Sequence, residues 1–356
     1  MRILIGDVHG ELLGEVDGHV EAVTWLLNDV GSAKFYLSRS SPFYQNERLQ
    51  LGNRLYLEFD NGLPPWAGYF DLPRGWSRKG VVEECYGIEE LLKYRITDRD
   101  AIFYEWTVGE IFRAILTQAE GKGTLGLTFG QIWSGGNMHW PRYHYETVWN
   151  VLNNSIRRME RCDFRFIPYL EGGRIRFLAE LHQVAGSDKT SSVLISEGNN
   201  VGEDVLVEEQ GTIINTFVAS GDGPDWTSAR PTIIGKDTNS IVAHGLREGS
   251  SVFPGVSMKS TLEMYVRNKL RLDSEPRRIF TLPVTNNEPG PFSSYDLGDE
   301  ITCELNSFGC DGYHNSVRVV GREFFPQTGE CLLAVEEFRD PEFWIYEEEL
   351  EGSAEE

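Results

Sequence analysis

The sequence lacks the features that mark membrane, secreted and disulfide-stabilised proteins. No stretch approaches the roughly 18 consecutive apolar residues of a transmembrane helix, so we expect no membrane insertion. The first residues carry neither the basic flank nor the long apolar segment of a signal peptide, and we expect a soluble chain. The five cysteines form no CxxC pair and leave an odd count. This favours free thiols in a reducing compartment over a disulfide framework.

Positive charge is also scarce. Lys and Arg total 33 against 55 Asp and Glu, which gives a formal net charge of −22. An acidic surface repels a polyanion, so we expect no specific nucleic-acid binding. The acidity is concentrated at the end of the chain, where residues 347–356 are predicted to form a solvated acidic tail.

Glycine and proline, by contrast, are plentiful. The 356 residues include 37 Gly and 15 Pro, a content typical of a turn-rich, mostly β protein. At the usual domain size of about 150 residues, this length predicts two or three domains.

Residues 1–104 are predicted to form a small N-terminal β-barrel. Alternating apolar positions such as Phe35 and Leu37 have the period of a half-buried strand. An Asn-Gly pair at 61–62 is a hairpin-type turn, and a short amphipathic helix is predicted to start near Ile88. Consecutive short strands with one helix are the content of a small barrel.

Residues 105–188 are predicted to form a compact α+β module. Thr107 is a predicted N-cap with Glu110 three residues on, and an apolar stripe follows in TVGEIFRAILTQAEG. A second amphipathic helix is predicted in YETVWNVLNNSIRRMERCD. Alternating strands on either side of the Glu-Gly-Gly turn at 171–173 predict a hairpin.

Residues 189–346 are predicted to form a second β-barrel region with one long helix. That helix, of about five turns, is predicted in GVSMKSTLEMYVRNKLRLDSEP, and four strand-like runs follow it. The segment containing Asp237, Asn239, Ser240 and His244 could pass for a site, but we interpret it as a polar loop that enters a strand.

The first strand, residues 3–5, runs into Gly6-Asp7-Val8-His9-Gly10, which is similar to the first metal motif of the metallophosphatases. In that family the Asp and His hold two metal ions, and further ligands come from later Gly-Asp and Gly-Asn-His motifs. No Gly-Asn pair of this chain is followed by His. Because Gly and Asp are turn formers, we interpret the motif as a loop.

Other chemical side chains form no complete constellation. Asp and Glu pairs suited to glycoside hydrolysis could occur anywhere in so acidic a chain. There is no G-x-S-x-G motif, and GKGTLG lacks the Lys-Ser/Thr ending of a phosphate loop. Two histidines in the stretch QIWSGGNMHWPRYHYETVW lack a partner Cys or carboxylate at ligand spacing, and two cysteines near one histidine make a poor zinc site. These residues are His139, His144, Cys303, Cys310 and His314.

Aromatic residues cluster in that same stretch. They could stack on sugar rings, but we favour core or interface anchors at the entry to a helix. The five residues are Trp133, Trp140, Tyr143, Tyr145 and Trp149. We therefore predict no catalytic residue, no cofactor-binding residue and no metal ligand.

Several segments then follow in a recognisable order: GSAKFYLSRSSP, LGNRLYLEF, PPWAGYFDLP, VVEECYGIEELLKYR, TVGEIFRAILTQA, KDTNSIVAHGLRE, SYDLGDEITCEL and NSVRVVGREFFPQTGECLLAVEEF. Their order resembles that of the tail hub (baseplate hub) proteins of long-tailed bacteriophages. His244 replaces the Tyr that is usual in the sixth segment. The resemblance extends over nearly the whole chain, although each segment is weak on its own.

The resemblance implies an α+β, mostly β fold in which two tube-type β-barrel domains bracket the smaller helix-plus-hairpin module. It implies a homotrimer whose pseudo-sixfold ring docks on the tail tube or a distal tail protein, beside the tape measure protein, and carries the spike or tail fibres. Such a hub is assembled in the host cytoplasm, lies at the virion tail tip and lines the DNA channel. The alternatives are a metallophosphatase, a cell-wall glycoside hydrolase and a glycan-binding tail-tip module.

Overall fold

The computed structural model describes the chain except for residues 46, 222–229, 254–255, 257, 307–311, 338–343 and 348–356. The described part is mostly β, with few helices, as predicted. Most of the predicted acidic tail and Cys310 lie outside the described residues. Within the described residues, no helix is long and apolar enough to cross a membrane.

The N-terminal strand region begins the fold. Its strands are β1 (Arg2–Gly6), β2 (Leu12–Glu15), β3 (His19–Leu26), β4 (Ser32–Ser38), β5 (Arg54–Glu58), β6 (Trp66–Trp76) and β7 (Gly80–Tyr86). Neighbours pair in the order β3-β4-β7-β6-β5-β1-β2, and all of these pairs are antiparallel. Every second residue of β4 is buried, so Phe35 and Leu37 enter one core together with Leu55 and Phe70, as their alternation predicts.

A helical module follows. Its helices are α1 (Ile88–Leu91), a 3-10 turn (Leu92–Tyr94), α2 (Val108–Gly121), α3 (Val148–Asn150), a π-helical turn (Val151–Ile156) and α4 (Arg157–Glu160). Its strands are β8 (Ala101–Ile102), β9 (Leu127–Ile132), β10 (Arg142–Tyr143), β11 (Asp163–Glu171) and β12 (Arg174–His182). The capping box of Thr107 and Glu110 starts α2, as predicted. The predicted hairpin is the antiparallel pair of β11 and β12.

The rest of the chain contains both a strand region and a smaller sheet. In order the elements are β13 (Leu194–Ser196), β14 (Leu206–Gln210), β15 (Thr216–Ser220), β16 (Thr232–Lys236), α5 (Thr238–His244), β17 (Glu248–Val252), α6 (Lys259–Asp273), β18 (Arg277–Val284), β19 (Glu300–Leu305), β20 (Tyr313–Phe325), β21 (Glu330–Glu337) and β22 (Trp344–Glu347). β13, β14 and β18 to β21 form the C-terminal strand region, which has its own core.

The smaller sheet is inserted between β14 and β18, and the end of the chain returns to it. Its order is β17-β15-β16-β22, and α6 packs on it. Leu262, Val266 and Leu270 form the buried face of α6, as predicted, although the helix has 15 residues and thus about four turns. We call these elements, β15 to β17 with β22, α5 and α6, the inserted sheet.

One sequence prediction in the inserted sheet is wrong. The segment interpreted as a polar loop is the helix α5. Asp237 caps it, because its carboxylate accepts a hydrogen bond from the Ser240 amide at 3.0 Å. The sequence has no apolar pattern that indicates α5, because the helix buries few apolar side chains. Val242, for example, is 87% exposed.

Candidate functional site

The two strand regions meet along one pair of strands. β20 pairs with β19 and β21 along the C-terminal strand region and then with β3 of the N-terminal strand region. A register shift between Val319 and Gly321 lies where β20 changes partner from β19 to β3, while its pairing with β21 continues to Phe325. The result is one continuous sheet of 13 described strands that passes through both regions.

Close packing holds this junction together. A Cβ atom at Gly321 would lie 2.8 Å from the end of the Leu26 side chain, so a larger residue here would require Leu26 to shift. The Phe324 ring lies at 5.8 Å, edge to face, from the Phe59 ring of the N-terminal strand region. Buried Arg322 donates to the Tyr295 carbonyl at 3.0 Å and stacks over its ring.

A buried carboxylate connects the N-terminal strand region, the helical module and the C-terminal strand region. Asp163, at the start of β11, accepts from the Asn28 side chain at 2.7 Å and from the Ala185 amide at 2.9 Å. Arg318 of β20 donates to the same carboxylate, and both side chains are largely buried. Asn28 in turn accepts from the Phe164 amide at 2.8 Å. We call this set the Asp163 node.

The GDVHG motif lies in a second contact between parts, where the N-terminal strand region meets the β11–β12 hairpin. The Asp7 carboxylate accepts from the backbone amides of His9 and Glu11 at 2.9 and 2.8 Å, which is the geometry of a turn. Gly10 has φ +87°, and a Cβ there would lie 2.5 Å from the Ile175 carbonyl oxygen. The motif is a loop, as predicted, and it serves to dock one part on another.

Buried Arg54 fastens this loop. Its guanidinium donates to the carbonyls of Ile175, Val8 and Thr124 at 2.9, 3.3 and 3.4 Å, so one side chain joins three segments. Burial lowers the Arg54 pKa, although the carboxylates of Glu120 and Asp7 partly offset this. The three backbone carbonyls that accept from Arg54 compensate the buried positive charge.

The fold matches known structures although the sequence does not match known families. No protein-family model matches the chain, and no curated protein matches it. The 43 kDa tail protein of prophage MuSo2 from Shewanella oneidensis is similar, with a TM-score of 0.62, 11% identity and coverage of 94% of this chain and 98% of that one. This chain has a phage tail-protein fold. The predicted resemblance is therefore confirmed for the fold.

Two further solved structures share this tail-protein fold. A tail protein from Neisseria meningitidis MC58 has a TM-score of 0.60 and 12% identity, and the match covers 94% of this chain and 96% of that one. The prophage tail protein gp18 from Listeria monocytogenes EGD-e has a TM-score of 0.57 and 12% identity, over 96% and 95% of the two chains. Because the coverage is nearly complete on both sides, all parts described above belong to the shared tail-protein fold.

Within this tail-protein fold, the aromatic stretch divides into buried and exposed residues. Tyr143 is buried, and Trp133 and Trp149 pack against the core of the helical module, which agrees with the prediction of core anchors. Trp140 and Tyr145 remain 39% and 54% exposed. The stretch therefore supplies both core and surface of the tail-protein fold.

His139 has a partner that the sequence did not reveal. Its ring lies 2.9 Å from the Glu160 carboxylate, and the Asn137 amide donates to the same oxygen at 2.7 Å. Burial opposes ionisation of Glu160, but the hydrogen bonds from His139 and Asn137 outweigh it and lower its pKa. His144 instead faces the Arg99 carbonyl. The sequence spacing gave no sign of the His139–Glu160 contact, because Glu160 lies 21 positions later, in α4.

The remaining predicted candidates lie apart. His244 pairs with Glu275 at 2.8 Å, and His314 with Glu304 at 2.8 Å. Cys303 is a buried free thiol whose pKa is raised to about 12 by burial and by nearby Glu197 and Glu304. Among the residues that the structure describes, no group of three His, Cys, Asp or Glu could hold a metal ion.

Proposed function

We propose that the chain is a non-enzymatic structural subunit of a phage tail and that three copies form a hub at the tail tip or baseplate. The hub joins the tail tube, or a distal tail protein, to the spike or tail fibres and adjoins the tape measure protein. It is assembled in the host cytoplasm and stays in the virion tail. DNA passes through its centre during ejection.

The observation that carries this proposal is the continuous sheet with two separate cores. A chain with two such strand regions supplies two wall segments to a ring, so three copies supply six and suit a sixfold tube. We propose that the first region is a barrel at 1–104, that the helical module is 105–188, and that a second barrel region with the inserted sheet is 189–346. Residues 347–356 complete the chain as an acidic tail.

The charge supports the channel part of this proposal. DNA that leaves a capsid must slide through the hub without binding to it, and a wall with net negative charge repels phosphates. The formal charge of −22 per chain favours such a wall.

The solution mass of the purified protein tests the trimer. Sedimentation equilibrium should give three times the 40.4 kDa of one chain, and a low-resolution view of the particle should show an axial hole. A stable monomer, or a particle without a hole, would contradict the hub.

A paired substitution separates the hub from a phosphatase. In Asp7→Ala with His9→Ala, a hub keeps its assembly and loses only part of the loop, whereas a metallophosphatase loses bound metal and activity together. Phosphatase activity in the unmodified protein that disappears in this variant would overturn the structural proposal.

Exposure of the aromatic stretch favours a second candidate, a glycan-binding tail-tip module. Trp140 lines a hollow of about 190 Å³ with Met138 and Met264, where a sugar ring could stack. Glycan binding by the purified chain that is lost on Trp140→Ala would support this candidate. Loss of the trimer in the same variant would instead make Trp140 an assembly contact.

A further inference from the structure

A cleft of about 500 Å³ opens where the helical module, the inserted sheet and the C-terminal strand region meet. Its walls come from α4, α6 and the strands β18, β20 and β21. The Asn268 side chain of α6 donates to the Met159 carbonyl of α4 at 3.2 Å and so joins two of the parts. Within the inserted sheet, the Phe253 and Tyr265 rings lie 4.6 Å apart.

Cations are concentrated in this cleft although the chain as a whole is strongly acidic. The lining contains five of them, Arg157, Arg161, Lys269, Arg277 and Arg318, and three carboxylates, Asp163, Asp273 and Glu336. The lining therefore has a formal charge of 5 − 3 = +2, in a chain of net charge −22. Such a reversal of sign marks a place suited to an anion.

Two of the cations are already paired. Arg318 donates to Asp163 in the Asp163 node, and Lys269 pairs with Asp273 at 2.5 Å along α6. Arg157 donates to the neutral Asn153 side chain at 2.8 Å. Among the ion pairs of the described residues, none involves Arg157 or Arg277.

The arginines of the cleft also make it less favourable for one another to carry a positive charge. Burial lowers the pKa of Arg157, and nearby Arg277 and Arg318 lower it further. Burial lowers the pKa of Arg161 to about 10, with contributions from Arg271 and Arg318. Arg161 ends α4 with φ 54°, a left-handed conformation that glycine usually occupies at helix ends. The Asp163 and Glu336 carboxylates offset part of the effect of burial and like charge on the pKa of both Arg157 and Arg161.

We propose that this cleft binds the carboxylates of an acidic peptide segment presented by a partner chain. Guanidinium groups bind carboxylates in bidentate pairs, and two such groups without ion pairs suit one or two acidic side chains. The modest charge of the lining, its three carboxylates and its limited volume do not suit a DNA duplex. The proposal does not depend on the trimer.

Calorimetric titration of the full chain at low ionic strength tests the cleft. Hexaglutamate is the probe and hexaglutamine the matched neutral peptide. We expect hexaglutamate to bind and hexaglutamine not to bind. Arg277→Gln, at an exposed position, and Arg157→Gln should each weaken binding by about tenfold, the scale of one charge-assisted hydrogen bond.

The control variant is Arg39→Gln, which removes an exposed arginine outside the cleft and should bind hexaglutamate as the unmodified chain does. Circular dichroism confirms folding, and Arg277→Gln decides the result if Arg157→Gln unfolds. Absence of hexaglutamate binding, or equal weakening by Arg39→Gln, would overturn the proposal. So would an oligonucleotide duplex that binds more tightly than hexaglutamate and depends on Arg277, since the cleft would then be a phosphate site.

Sedimentation of the same samples identifies the source of the acidic segment. If a second copy of this chain supplies it, excess hexaglutamate and Arg277→Gln both lower the oligomeric mass. If a different tail protein supplies it, the oligomeric mass stays the same while hexaglutamate still binds. Both outcomes keep the cleft as a carboxylate site.

Discussion

The N-terminal strand region comes from one stretch of chain, whereas the C-terminal strand region is assembled from two. Strands β1 to β7 follow each other between Arg2 and Tyr86. The other region takes β13 and β14 from before the inserted sheet and β18 to β21 from after it. Both regions enclose a core of alternating apolar side chains. A strand region of this kind therefore tolerates a large insertion, as long as its strands regain their register.

The two regions also differ in the side chains that hold them to their neighbours. Besides backbone pairing, the N-terminal strand region uses Arg54, which reaches only carbonyls, Asn28 in the Asp163 node and the exposed Glu11–Arg174 ion pair. The C-terminal strand region contributes charged side chains, Arg318 and Arg322, and borders the cationic cleft. Both regions thus contribute to the contacts between parts, and of the two the C-terminal one borders the cleft.

The largest expected effect is at the Asp163 node. Asp163→Ala leaves Arg318 and the Asn28 amide buried without their acceptor, and breaking such a pair costs about 3 to 5 kcal/mol. We expect chemical denaturation to show this loss in the free energy of unfolding. Glu11→Ala is the control: it removes an ion pair with Arg174 that also joins two parts but is exposed, and it should cost at most about 1 kcal/mol. Equal costs would contradict the role of the node.

Two leucine truncations test whether the inserted sheet is a separate unit. Leu37 and Leu262 are both fully buried. Leu37→Ala and Leu262→Ala should therefore each lower the free energy of unfolding of the part that contains them by about 2 to 5 kcal/mol. Hydrogen exchange should show faster exchange across β3 to β7 in the first variant. In the second, faster exchange should be confined to the inserted sheet, which has its own small core. Exchange that rises throughout the chain in both variants would mean that the parts unfold as one.

The sequence predicted the contiguous parts of the fold well because their signals are local. The alternation in β4, the capping box at Thr107 and the apolar stripe of α6 depend only on neighbours along the chain. α5 was missed because an exposed two-turn helix carries no apolar stripe. The inserted sheet could not be separated from the strands around it, because β15 and β16 have the same pattern as core strands.

The site was less predictable because it consists of contacts between distant segments. Asn28 and Asp163 are 135 positions apart, and nothing in their surroundings indicates a contact. Arg54 did carry a signal: an arginine that opens the apolar strand RLYLE must either be exposed or reach several acceptors. The GDVHG motif was interpreted correctly as a loop, since missing partner motifs argued against a metal pair.

Glycine substitutions at two loops provide the next, smaller effect. Gly10→Ala combines a positive φ with a Cβ position 2.5 Å from the Ile175 carbonyl, and we expect a cost of about 2 to 3 kcal/mol. Gly172→Ala is the control, because Gly172 also has a positive φ but open space around it. It should cost about 1 kcal/mol. Thermal unfolding measures both, and equal shifts in Tm would show that the docking loop is not tightly packed.

The smallest effect depends on pH and lies on the N-terminal side of the junction. Glu89 lines a hollow of about 110 Å³ beside Trp25, Trp66 and Phe177. Burial raises its pKa from 4.5 to about 8, and nearby Asp29 adds to the shift, although a backbone hydrogen bond opposes it. Because the folded-state pKa lies above the unfolded one, the protonated carboxyl stabilises the fold fully below about pH 4.5. That stability is lost as pH rises to about 8.

Glu89→Gln should therefore behave like the protonated carboxyl at every pH. Thermal unfolding should show little change in the free energy of unfolding at pH 5 and a gain on the order of 1 kcal/mol at pH 8.5. The partial exposure of the side chain keeps this gain small. Glu90→Gln, which loses the ion pair with Lys93 of the following 3-10 turn, shows what removing a neighbouring carboxylate costs. If Glu89→Gln changes Tm equally at both pH values, the carboxyl is solvated.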